Sequence, residues 1–168
     1  MPIAARGTLD GMTEPLGGEP LSTNLIERYL CTRGRRYFRG RHDSEFFFVL
    51  NTDQRLHVHL EIPALHPDVF TIRVTPACFF PAGDHESLMQ FAATWNEQNR
   101  DVTAIVHGSS DPERIGVTAE QSRWIGEQVA FGDFAAFADR ATAAAIDLFA
   151  RLTPATELPS RPLLRNAG

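Results

Sequence analysis

Eight residues, Arg55 to Ile62, alternate without a break between polar and apolar. Leu56, Val58, Leu60 and Ile62 fall on one side, and Arg55, His57, His59 and Glu61 on the other. A period of two belongs to a β-strand, because a helix would scatter those four apolar residues around its circumference. The segment predicts a half-buried antiparallel strand, and such a strand needs neighbours. Candidates stand on both sides. Phe46 to Leu50 is a continuous apolar run between His42-Asp43-Ser44 and Asn51-Thr52-Asp53, which predicts a central strand buried on both faces. Phe70, Ile72 and Val74 alternate with Thr71, Arg73 and Thr75, after a turn bracketed by Pro63 and Pro67. With Tyr37-Phe38 as a short opening strand, four consecutive strands make a meander.

The flanking segments change period. Leu25, Ile26, Tyr29 and Leu30 recur at helical spacing, with Asn24 as a candidate N-cap, Glu27 three residues on and Gly34 as a C′ residue. This predicts a helix from Asn24 to Arg33. Pro81-Ala82-Gly83-Asp84 ends the strand region, and Asp84 and Glu86 suit a helix start. Leu88, Phe91, Ala92 and Trp95 then form one stripe of a second helix that ends near Asn99. Val102 to His107 predicts a short strand. Arg114 to Glu127 is ambiguous: Ile115, Val117 and Ala119 alternate, while Thr118 and Gln121 suit a helix cap, and we read it as a long strand. Phe134, Phe137, Ala138, Ala141, Ala145, Leu148, Phe149 and Leu152 make the stripe of a last helix, stopped by Pro154. The order is α-β-β-β-β-α-β-β-α. It predicts an α+β domain over residues 21–152, an antiparallel sheet with its helices mainly on one face. Residues 1–20, rich in Gly and Pro, and residues 153–168, with three Pro, read as flexible tails, with Leu163-Leu164 the one apolar pair in the second.

A chain of 168 residues can bury a core without staples, and twelve Phe against two Tyr and two Trp predict one filled largely by phenylalanine. A net charge of −5 argues against a general nucleic-acid binder. Every basic residue is Arg and none is Lys, which we attribute to base composition. Cys31 and Cys78 form no CxxC and read as reduced, buried thiols. The first twenty residues lack an apolar signal core, and no segment approaches the roughly 18 apolar residues of a membrane span, so the cytoplasm is the default address.

With these elements in place the chain resembles the YbjN family, whose members are similar in fold to type III secretion chaperones. The resemblance covers roughly Leu21 to Leu152. It rests on the opening helix Leu25 to Leu30, the meander after it, and Phe91 through Trp95-Asn96 and Asn99-Arg100, where the family carries a Trp-Asn pair. The run from Ile115 to Glu120 into a terminal helix ending Leu148 to Leu152 completes it. The resemblance implies a homodimer that binds other proteins, in a family labelled as candidate sensory-transduction regulators. It brings no catalytic residues and no cofactor. The Arg-rich stretch from Arg33 to Arg41 and the loop Ser109 to Glu113 depart from the family's pattern.

Three constellations each admit a chemical and a plainer reading. His57, His59 and Glu61 share one strand face at a spacing suited to a metal, with His107 as a further ligand, which would support a metal-dependent enzyme. A solvated strand face accounts for the same residues. Arg33, Arg35, Arg36, Arg39 and Arg41 would suit an acidic protein, RNA or phosphate; a solvated sheet edge is the alternative. Cys31 or Cys78 with a histidine would make a thiol nucleophile only in an electropositive, accessible setting. The expectation is a non-enzymatic protein-binding module with no metal or other cofactor. Its candidate contacts are Trp124, Ile125 and Phe131, with Arg35, Arg36 and Arg39 at the rim, and its candidate dimer interface is Leu88, Phe91 and Trp95 on the middle helix.

Overall fold

The computed structural model describes residues 17–152. The elements follow the order α1 (Thr23–Thr32), β1 (Tyr37–Arg39), β2 (Glu45–Asn51), β3 (Arg55–Glu61), β4 (Val69–Pro76), β5 (Phe80–Pro81), α2 (His85–Gln98), β6 (Thr103–Gly108), β7 (Arg114–Trp124) and α3 (Phe131–Arg151). The predicted order holds, with the two-residue β5 added and Arg114 to Trp124 a strand. All pairings are antiparallel, in the order β1-β2-β3-β4-β7-β5, and β6 pairs the other side of β7.

The caps explain two shifts from expectation. Helix α1 starts one residue before Asn24, because Ser22, in extended conformation, accepts from the Leu25 N–H at 3.2 Å. It closes on Gly34, whose φ of +61° suits a residue without a β-carbon. Gly34 N–H donates to Cys31 O, and Arg35 N–H to Leu30 O, which is a Schellman closure. Asp84 precedes α2 but makes no side-chain cap bond, since a 3-10 turn at Ala82–Asp84 leads into the helix instead.

The register sorts side chains by face. Phe46, Phe48 and Leu50 align with Leu60, Val58 and Leu56, and these with Ile72, Val74 and Pro76. Their face carries the core, where α3 lies across β4 and β7 and α1 packs beside α3. Phe134 is fully buried at the joint: its ring is 4.6 Å from that of Phe70 on β4 and 5.9 Å, edge-on, from that of Tyr29 on α1. Asp139 ties the same two helices. It accepts from Tyr29 Oη at 2.9 Å and from Arg33 at 2.6 Å.

The Arg33 hydrogen bond holds the Asp139 carboxyl below its ordinary range, against the opposing effect of burial, with Tyr29 assisting. A depressed carboxylate stabilises the fold above its unfolded pKa of about 3.9 and loses that contribution as pH falls through the folded value. Asp139→Ala should therefore cost about 1 kcal/mol at neutral pH, the site being partly exposed, and less at an acid pH below the unfolded value. Urea unfolding of both proteins at the two pH values reads the difference.

Helix α2 packs along β6, and here the structure corrects a sequence expectation. Leu88 and Trp95 are buried within the chain and Phe91 is half-buried, so the stripe proposed as a dimer interface is core. The residues Trp95 and Asn96 have a definite task. Trp95 Nε1 donates to Val102 O at 3.3 Å. Asn96 accepts from Ala104 N–H at 2.7 Å and donates to Ala104 O at 3.0 Å. The first part of the outer edge of β6, at Ala104, is thus plugged by a side chain from α2.

A second correction concerns β2. It is not central and not buried on both faces: it lies one strand from the edge, with Phe47 and Val49 exposed. Cys31 is exposed and Cys78 half-buried, rather than both buried. Residues 17–20 are ordered against the domain: Glu19 exchanges backbone bonds of 2.9 and 2.8 Å with Val129 and pairs with Arg28. The rest of the two expected tails, residues 1–16 and 153–168, lies outside the described residues, and with it Pro154 and the Leu163-Leu164 pair. No helix among the described residues is long and apolar enough to cross a membrane.

Candidate functional site

The face of the sheet opposite the helices is open. One straight row crosses six strands on it: Phe38, Phe47, His59, Arg73, Glu120 and Thr103. Strand parity puts Val49, Ile105 and Trp124 on the same face. Phe38 is 71% exposed, Trp124 72%, Val49 42%, and Phe47 and Ile105 38% each. Apart from Leu65, Phe79 and Met89, every exposed large hydrophobic of the described residues lies here. Single exposed apolar residues need no explanation, but five on one sheet face do.

The polar groups between them hold one another. Arg73 Nε donates to Glu120 Oε2 at 2.6 Å, and Arg73 Nη1 reaches Glu61 Oε2 at 3.4 Å. His42 Nε2 is 3.1 Å from Glu61 Oε1. The imidazole of His59 stacks on the ring of Phe47, 4.4 Å between centroids and 5° from parallel, with Nε2 3.0 Å from Glu45 Oε1. Burial lowers the His59 pKa below the usual imidazole value in spite of Glu61 and Glu45, so the ring is neutral at pH 7. Burial works against the ionised Glu45 as well. Even so, the Arg41 backbone N–H and the two nearby imidazoles hold its carboxyl below the usual range.

This geometry answers the metal hypothesis. His57, His59 and Glu61 do share a face, as the alternation requires, but His59 and Glu61 are engaged with Phe47, Glu45, His42 and Arg73. His107, on β6, bonds Thr118 Oγ1 at 2.9 Å and lies over Gly116, where a β-carbon would fall 2.2 Å from its Cε1. It meets only His57 of the set, across a cleft of about 270 Å³ that Cys78 and Phe79 also line. Among the described residues, no three His, Cys, Asp or Glu side chains converge as metal ligands would.

The proposed contact residues divide. Trp124 is on the open face, whereas its neighbour Ile125 is 4% exposed and belongs to the core. Phe131 is half-buried beneath the Arg28 guanidinium, on the helix side. Of the arginines, Arg33 pairs with Asp139 and Arg39 with Glu27, while Arg35 lies over the ring of Phe48. Arg36 is exposed. The exposed residues Phe38, Phe47, Val49 and Ile105 were not anticipated as contacts. Their signal was present in the alternation itself, had the polar side of β3 been followed to its neighbours.

The crystal structure of YbjN from E. coli, a candidate transcription regulator, superposes with a TM-score of 0.69 over 85% of this chain and 100% of that one. The fold is that of YbjN. Identity with YbjN is 13%, so the likeness is one of architecture. An uncharacterised protein from Methanothermobacter thermautotrophicus aligns at 15% identity over 79% of this chain and 96% of its own, with a TM-score of 0.48. No protein-family model and no curated protein matches the sequence. The YbjN architecture accounts for the α+β sheet with its helices on one side.

Proposed function

We propose that this chain is a non-enzymatic protein-binding module that works through the open face of its sheet. The observation that carries the reading is the set Phe38, Phe47, Val49, Ile105 and Trp124, left uncovered beside a self-paired polar network. A sheet face that stayed in water would carry polar residues at those positions. The aromatic residues among them are the kind that anchor protein interfaces. His42, Glu45, His59, Glu61, Arg73 and Glu120 on the face are spent on each other, which suits a recognition surface better than a reaction centre. YbjN, which shares this fold, is described as a candidate transcription regulator, which bears on the non-enzymatic half of the reading alone.

Site-selective photocrosslinking in cells tests it. A benzophenone amino acid placed at Phe47 or Ile105 should capture one discrete species, a second copy of this chain or another protein. The same group at Met89 or Leu65, exposed but off the face, should not. Equal, diffuse labelling from all four positions would sink the proposal. A homodimer would appear as a crosslinked pair of chains and, in light scattering, as twice the monomer mass.

A further inference from the structure

The two outer edges of the sheet are treated differently. At the start of β6, Asn96 occupies both outward backbone groups of Ala104, and Trp95 bonds Val102 O just before the strand. On β1 nothing among the described residues does so. Gly40 N–H donates to Glu45 O at 2.7 Å, so the antiparallel alternation turns Phe38 toward β2 as well. The N–H and C=O groups of Tyr37 and Arg39 therefore face away from the sheet. A free edge is a template for another extended chain.

The side chains around that edge state what kind. Residues 33–41 hold five arginines and no acid, in a protein whose net charge is −5. Glu27 and Asp139 neutralise Arg39 and Arg33. The guanidinium groups of Arg36 and Arg41 meet no carboxylate or ring among the described residues, and both residues are exposed. Between them Phe38 presents its ring to solvent. A second copy of this chain is a poor occupant, because two such edges would set arginines against arginines. A nucleic acid is repelled by the overall charge and offers no backbone amides to the edge.

We propose that β1 accepts an extended segment of a partner protein in which an apolar residue has an acidic residue two positions to either side. The segment adds a strand through the backbone groups of Tyr37 and Arg39, sets an apolar side chain against Phe38, and places carboxylates at Arg36 and Arg41. The inference rests on the protein-binding reading and specifies one partner contact within it.

The test is fluorescence anisotropy on the full chain with a labelled twelve-residue peptide in which a central valine has glutamates two positions to either side. A glutamine-for-glutamate peptide, a single-stranded RNA and the double variant Arg36→Gln/Arg41→Gln complete the set. Both arginines are exposed, and their guanidinium groups pair with nothing among the described residues, so the variant should keep its fold, which its melting curve verifies. The glutamate peptide should bind, weaken at least about tenfold in the variant, and weaken with salt. N-methylation of every second peptide amide should abolish binding in one phase and leave it intact in the other, as strand addition requires. Equal binding of the glutamine peptide, indifference to the double substitution, or tighter binding of the RNA would overturn the proposal. Crosslinking from Phe47 that persists in the double variant would leave the protein-binding reading standing while removing β1 from it. Loss of discrete crosslinks from Phe47 and Ile105 in the unaltered protein would remove the reading itself.

Discussion

Phe134→Ala should cost about 3–5 kcal/mol, the largest effect expected from any single substitution in this chain. The residue has no exposed surface, and its ring is the common contact of three elements: α3 that carries it, Phe70 on β4 and Tyr29 on α1. Truncation removes the transfer free energy of the ring and leaves a void, because the Tyr29–Asp139 bond fixes the placement of α1 against α3 and limits how far they can shift to fill it. The helices reach the sheet through this joint, so the loss is global and should appear as a shifted urea midpoint with an unchanged slope. A loss below about 2 kcal/mol would mean that the three elements repack freely, and that the aromatic joint is not what fixes them.

Asn96→Ala should cost about 2–3 kcal/mol and add a second effect that Phe134→Ala lacks. The carboxamide satisfies both the N–H and the C=O of Ala104, a residue only 4% exposed. Alanine would leave those groups without partners at the edge of the sheet, each at a cost of about 1–3 kcal/mol that water partly relieves. It would also unplug the outer edge of β6, so the variant should self-associate with rising concentration, seen by light scattering under conditions where the parent does not change. Asn96→Asp separates the two. It keeps the acceptor for Ala104 N–H and loses the donor to Ala104 O, so it should be intermediate in stability. An Asn96→Ala protein as stable as its parent would show that the plug is incidental.

How far the residues disclosed this architecture depended on whether burial was decided locally. The strict alternation of Arg55 to Ile62 needed one neighbour on one face, and β3 follows it residue by residue. The stripe of α3 was equally plain, from Phe134 to Phe149. Phe46 to Leu50 misled because five consecutive apolar residues imply two covered faces, and whether a second layer exists is a property of the whole chain. Only Phe46, Phe48 and Leu50 are covered, and Phe47 and Val49 became part of the candidate surface instead. Trp124 and Ile125 illustrate the same point at closer range. Adjacent on the chain, they fall on opposite sides of the sheet, and composition alone could not say which faced outward. The N-cap moved from Asn24 to Ser22 because either residue type can cap, and only backbone geometry decides. The Arg run was visible, but its division into paired and unpaired members required Glu27 on α1 and Asp139 on α3 to be brought alongside.

The placement of the two tryptophans gives the molecule a built-in pair of optical reporters. Trp95 sits at 3% exposure, bonded to Val102 O, and Trp124 at 72% on the open face. Emission from the first tracks the integrity of the domain, and collisional quenching of the second tracks whether that face is covered. One cuvette therefore separates a variant that has lost its fold from a variant that has lost its partner, with no label attached to either.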